Sequence, residues 1–188
     1  MKKLIIVALA LATASTLSAQ GLVKFSTTGG RVSFATIADG ETAYKVGDFL
    51  GSDFIGAVML DGKEVGRANF ALSGGGAPTG RLNSDTLAID GLAAGGTYTF
   101  TLEAFNAAYE AADKSLLIPG GPDGLYFGKS AAFDYKTGVA GSVDPNDIAA
   151  PMNVPNFGVD AYSVIPEPTT IALGVLGLSS LLLFRRRD

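Results

Sequence analysis

The 188-residue chain contains no cysteine, no histidine and no tryptophan. Without cysteine there are no disulfide staples, no thiol nucleophile and no thiolate metal site, and without histidine there is no imidazole base, catalytic triad or zinc centre of the common kinds. Tryptophan is the strongest platform for stacking on a sugar or a base, so any aromatic recognition must use the 11 phenylalanines and 6 tyrosines. Charge is also sparse, at 17% of residues, beside a hydrophobic fraction of 47%. Much of that apolar excess sits at the two ends. The middle, residues 21 to 165, keeps 9 basic and 16 acidic side chains, a net of −7. A domain so acidic repels nucleic acid and anionic lipid, and no nucleic-acid partner is expected.

The N-terminus has three successive parts. Met1-Lys2-Lys3 is basic, Leu4 to Ala12 is uninterrupted and apolar, and Thr13 to Gln20 is small and polar. This is the order of a secretory signal peptide, and the apolar run is too short to remain as a membrane span. Residues 1–20 are therefore expected to be removed by signal peptidase, after Ala19 or after Gln20. The first bond has Leu17 at the third position upstream; the second has the smaller Ser18 there but puts Gln20 at the cut.

At the other end, Pro166-Glu167-Pro168 precedes an apolar run from Ile171 to Phe184 and a closing cluster, Arg185, Arg186 and Arg187. Thr169 to Phe184 is 16 residues, about 24 Å as a helix. That is short for a bilayer, but the prolines suit a first helical turn and the arginines can snorkel and extend the span. Basic residues stay on the cytoplasmic side, so a transmembrane helix here leaves residues 21 to 165 outside. Residues 164–188, with the Pro-Glu-Pro triplet, the apolar helix bearing Gly174 and Gly177, and the terminal arginines, resemble the PEP-CTERM sorting signal of exopolysaccharide-producing Gram-negative bacteria. The resemblance implies that Pro166, Glu167 and Pro168 are read by an exosortase, a membrane protease-transpeptidase that removes the tail and releases the protein to the cell surface or extracellular matrix. It covers the tail alone.

Between the ends, short β-branched and aromatic runs alternate with glycine-rich turns. Thr97 to Glu103 places Tyr98, Phe100 and Leu102 on one face and threonines on the other, the period of a half-buried strand. Phe54 to Leu60, then Asp61-Gly62, then Lys63 to Arg67 reads as a type I′ hairpin. Further strands are expected at 22–26, 31–36, 69–72, 86–89 and 131–135, and a short helix over 104–114, where alanines recur and Phe105 and Tyr109 are four apart. The expected fold is all-β: one antiparallel β-sandwich, immunoglobulin-like or jelly-roll-like, over residues 21–140. Leu92 to Phe100 resembles the turn-into-strand segment of immunoglobulin-like and fibronectin-like sandwiches, which implies a tyrosine-corner role for Tyr98. Residues 141–163, with Pro145, Pro151 and Pro155, read as a loop-rich spacer.

Candidate chemistry is thin. Ser73 to Gly80 is glycine-rich but lacks the Gly-Lys-Ser/Thr ending and following helix of a phosphate cradle, so it reads as a strand connection. Asp144, Asn146 and Asp147 are weak calcium candidates, with Asp123 and Asp134 as ligands only if the fold gathers them, and the spacing falls short of a calcium loop. Glu103 and Glu110 are the carboxylates that a glycoside hydrolase would need, and Tyr44, Tyr109, Tyr126 and Phe127 could stack on sugar rings. The favoured expectation is a non-enzymatic envelope protein without a cofactor, among exopolysaccharide. The competing one is a carbohydrate-binding module or carboxylate-dependent hydrolase delivered by the same route.

Overall fold

Alternation of apolar and polar residues converts most of the middle of the chain into strand. A computed structural model describes residues 20–144 and 147–165. Its strands are β1 (Gln20–Gly29), β2 (Val32–Phe34), β3 (Phe54–Leu60), β4 (Lys63–Leu72), β5 (Pro78–Ala93), β6 (Thr97–Asn106), β7 (Leu117–Pro119), β8 (Leu125–Lys129), β9 (Phe133–Lys136), β10 (Gly138–Val139), β11 (Pro151–Val154) and β12 (Phe157–Val164). One short helix, α1 (Ala107–Ala111), and a 3-10 turn at Lys114–Leu116 interrupt them. The all-β expectation holds. The strands form a single hydrogen-bonded sheet in the order β10-β1-β5-β4-β3-β6-β8-β12-β2, with β11 attached to β1, β7 to β12 and β9 to β6.

The expected hairpin is present. Asp61 and Gly62 have φ of 50° and 77°, and Leu60 pairs with Lys63, which is the two-residue turn whose twist matches its strands. Tyr98 also closes locally, its hydroxyl accepting from the Ala93 N–H at 2.6 Å. The core draws Phe25, Phe34, Phe54, Phe70, Phe100 and Tyr126 from six different strands into one cluster. Burying each such ring stabilises the fold by about 1.5–3 kcal/mol. Gly66 on β4 makes room for one of them, since a Cβ there would lie 2.2 Å from Cζ of Phe25.

Three expectations need correction. The sheet is not wholly antiparallel: β11 runs parallel to β1, and β2 parallel to β12. Each parallel pair joins segments distant in sequence, so no hairpin dictates their direction. The helix expected over 104–114 starts only at Ala107, because β6 continues to Asn106. Ala104 is fully buried there and pairs with Gly56 on one side and Gly128 on the other. Close strand pairing at these small residues outweighs the high intrinsic helix propensity of alanine, which is worth less than about 1 kcal/mol per residue.

The largest correction concerns 141–163, which is not a spacer. Met152 and Val154 of β11 are core residues, and β12 pairs with β7, β8 and β2 while burying Val159, Ala161 and Ser163. The folded body therefore extends to residue 165, where the Ile165 N–H donates to the Leu116 carbonyl at 2.8 Å. Small inward residues at 161 and 163 weaken the hydrophobic alternation of β12 without weakening its backbone pairing. Pro151 opens β11 and Pro155 lies between β11 and β12, where neither removes a needed ladder donor.

Ala19, Asn146, the triplet Pro166, Glu167 and Pro168, and Arg185, Arg186 and Arg187 lie outside the described residues. Among the described residues no helix is long and apolar enough to cross a membrane.

Candidate functional site

Residues on β8 alternate between the two faces of the sheet. Tyr126 consequently points into the core, and its neighbour Phe127 points outward beside α1. Asn106 caps α1 by accepting from the Tyr109 N–H at 3.0 Å, which brings the Tyr109 ring over Phe127 with centroids 4.8 Å apart and planes inclined by 13°. Tyr162 of β12 meets the Tyr109 ring edge-on at 5.7 Å. Phe105, next to the last residue of β6, lies 6.4 Å from Tyr109, so the pair expected on one helix face meets across a strand–helix junction instead. Phe105, Tyr109 and Phe127, with Glu103, Glu110 and Lys114, line an open groove of about 320 Å³, the low end of the range for small-molecule sites, and Tyr162 supports the rings from beside it.

The charges around the groove are organised in pairs. Glu103 on β6 stands opposite Lys129 on β8, with Nζ and Oε1 3.0 Å apart. Arg67 on β4 grips both oxygens of Glu64, at 2.7 and 2.8 Å, and reaches Glu110 at 2.6 Å. The hydrogen bonds from Arg67 hold the Glu64 carboxyl below its usual range against a smaller opposing effect of burial, and the same bonds raise the Arg67 guanidinium. Lys114 donates to the carbonyls of Tyr109, Glu110 and Ala112, which closes the C-terminal end of α1, and its ammonium sits 4.5 Å from the Tyr109 ring centroid. Burial, followed by the neighbouring Tyr162 and Glu103, raises the Tyr109 phenol above its ordinary value.

Four of the sequence candidates, Glu103, Tyr109, Glu110 and Phe127, thus share one groove. Tyr44 and Tyr126 do not join them. Tyr44 stacks on Phe34 at 4.6 Å and is half-buried, with its phenol raised by burial first and by Asp53 second. The Tyr126 hydroxyl accepts from the Ala38 N–H at 3.1 Å inside the core. Sequence reasoning missed Tyr162, Arg67, Lys114 and Lys129. The alternation of Asp160 and Tyr162 with Val159, Ala161 and Ser163 was the available signal for the first; the cations carried none, because their partners are set by strand register.

The other candidates have local structural roles. Asp144 and Asp147 belong to a turn: the Asp147 N–H donates to the Asp144 carbonyl at 3.0 Å, and its carboxylate accepts from the Ser142 hydroxyl at 3.0 Å. Asp123 accepts from the Val164 N–H at 2.8 Å, and Asp134 from the Thr99 hydroxyl at 2.7 Å. Among the described residues no group of three or more acidic side chains could hold a metal ion. Ser73 to Gly80 is the connection from β4 to β5, closed by the Ser73 N–H on the Ala77 carbonyl at 2.8 Å.

Chemically, the groove combines aromatic edges and faces with carboxylates already held in ion pairs. Such a surface can pack against the C–H face of a hydroxylated ring while the carboxylates accept hydrogen bonds from its hydroxyls. No protein-family model, curated protein or solved structure matches this chain.

Proposed function

We propose that the chain is an exported bacterial surface or extracellular-matrix protein of structural and binding type, sorted through a PEP-CTERM-like tail and processed by an exosortase. The observation that carries this reading is the order Pro166-Glu167-Pro168, apolar run, Arg185 to Arg187 directly behind a domain whose last strand ends at Val164. Cutting at the triplet would leave every described strand whole. At the other end, Gln20 pairs with Ala93 and its side chain donates to Asp90, which favours signal peptidase acting after Ala19, so that Gln20 is kept.

The finer architecture in this reading is a sandwich. One layer is β1 with β10, β11 and the second half of β5; the other is β4, β3, β6, β8 and β12, with β5 crossing between them after Leu82. The Tyr98 hydroxyl bonded five residues upstream supports an immunoglobulin-like relation. The domain acts without catalysis: Glu103 and Glu110 are each engaged by a cation, and the groove serves exopolysaccharide contact. The competing hydrolase would need one of these carboxylates to donate a proton.

Intact-mass analysis of the protein recovered from envelope and medium of its host tests the sorting claim. The expected species begins at Gln20 and ends close to Pro166. A species retaining Ile171 to Asp188 would make the protein a stable single-span membrane protein and refute tail removal.

A further inference from the structure

The glycine-rich loop that joins β4 to β5 ends beside two arginines, Arg31 and Arg81, which stand apart from the ion pairs around the aromatic groove. Arg67 and Lys129 have carboxylate partners; Arg31 and Arg81 have none within ion-pair distance among the described residues. Both line one polar pocket of about 440 Å³ together with Ser26, Thr27, Ser73 and Asn83. Arg31 lies with its guanidinium 4.6 Å from the centroid of the Phe49 ring, which fixes its plane without neutralising its charge. Arg81 is half-buried, and its Nε is buried with no hydrogen-bond partner. A buried cationic donor left unpaired is costly, and in a domain of net charge −7 the absence of a nearby acid is conspicuous. Thr27 is 6% exposed, and its hydroxyl accepts from the Leu82 N–H at 3.0 Å, which leaves its own proton free to donate.

We infer that this pocket binds the carboxylate of an acidic saccharide, with Arg81 and Arg31 pairing with the anion and Thr27, Ser26 and Asn83 meeting ring hydroxyls. Guanidinium groups match the planar two-oxygen geometry of a carboxylate. The hydroxyl and amide lining matches a polyhydroxylated ligand, and the volume lies in the small-molecule range. The acidic field of the rest of the domain disfavours densely charged polyanions, so the ligand is one whose carboxylates are spaced by neutral groups. The inference deepens the surface-protein reading by naming a ligand class, but binding is measured independently of tail processing, so either can fail alone.

The test is titration calorimetry on the protein as recovered from its envelope, with D-glucuronate, D-glucose and inorganic sulfate as probes. The expected result is saturable glucuronate binding, no glucose binding, weaker sulfate binding, and a loss of about 10- to 100-fold in glucuronate affinity in Arg81→Gln and Arg31→Gln. Arg81→Lys keeps the charge and is expected to fold normally while losing most of the affinity, and thermal unfolding of each variant separates lost binding from lost structure. Lys63→Gln, at the exposed β3–β4 turn away from both the groove and this pocket, should leave glucuronate affinity unchanged. Sulfate binding as tight as glucuronate would overturn the saccharide assignment. Absence of glucuronate binding, or its persistence in both folded glutamine variants, would overturn the pocket itself.

Discussion

Two aromatic clusters of the same size class occupy this domain, and they have opposite fates. Phe34, Tyr44, Phe54 and Tyr126 interlock with centroid separations of 4.6 to 6.0 Å in and against the core. Phe105, Tyr109, Phe127 and Tyr162 make similar contacts at 4.8 to 6.4 Å, but Tyr109, Phe127 and Tyr162 keep part of their surface in solvent and border ion-paired carboxylates. Tyr126 and Phe127, adjacent in sequence, belong to different clusters because successive residues of a strand face opposite ways. Residue type therefore says little about which aromatic rings stay at the surface; the side of the strand decides.

Breaking the inner cluster should have the largest effect. Phe54→Ala is expected to cost about 3–5 kcal/mol, whereas Phe127→Ala should cost far less, and urea unfolding of the two variants measures the contrast. Gly66→Val acts from the opposite direction, by overfilling. With the ring of Phe25 where the new side chain must go, a loss of about 1–3 kcal/mol is expected in the same assay. A finer cut removes one oxygen from each cluster. Tyr126→Phe strands the Ala38 N–H and should cost about 1–3 kcal/mol, while Tyr109→Phe, whose hydroxyl has no such partner among the described residues, should be close to neutral.

Titration separates the clusters less sharply, since burial raises the phenols of Tyr44 in one and Tyr109 in the other, and also that of Tyr135 in the core, where a bond from the Lys24 N–H opposes it. A raised phenol stays protonated in the folded chain after the unfolded chain has begun to ionise. Stability from these groups is thus fully present below about pH 10 and falls as pH rises through the folded values. Denaturation midpoints measured on either side of that pH should show the decline, and a flat profile would argue against burial of the three rings. The smallest effect is expected from Arg67→Gln. Its partners Glu64 and Glu110 are exposed, so a loss below about 1 kcal/mol that shrinks further in salt is the expected outcome of unfolding at two ionic strengths.

Much of the fold was readable where strands announce themselves by strict alternation or by a turn that needs unusual dihedrals. Thr97 to Glu103 and the Asp61-Gly62 hairpin belong to this class. β12 did not announce itself, because Ala161 and Ser163 fill inward positions that usually carry large apolar side chains, and because three prolines nearby suggested a linker. Of the groove, Glu103, Glu110, Tyr109 and Phe127 were identifiable as chemistry-bearing types. Nothing in the linear order said that they would meet, or that Tyr44 and Tyr126 would not.

The sequence by itself determined the all-β class, the acidic charge of the domain, and the absence of thiol and imidazole chemistry, because composition, period and turn residues act locally and need no partner. Tertiary structure decided the rest. It brought β12 between β8 and β2, set Lys129 against Glu103 and Arg67 against Glu110, and left Arg31 and Arg81 together without an ion-paired acid among the described residues. Each of these depends on which segments, many residues apart, come to share a ladder or a face. That choice is made by the packing of one common core, and no local stretch of the chain carries it.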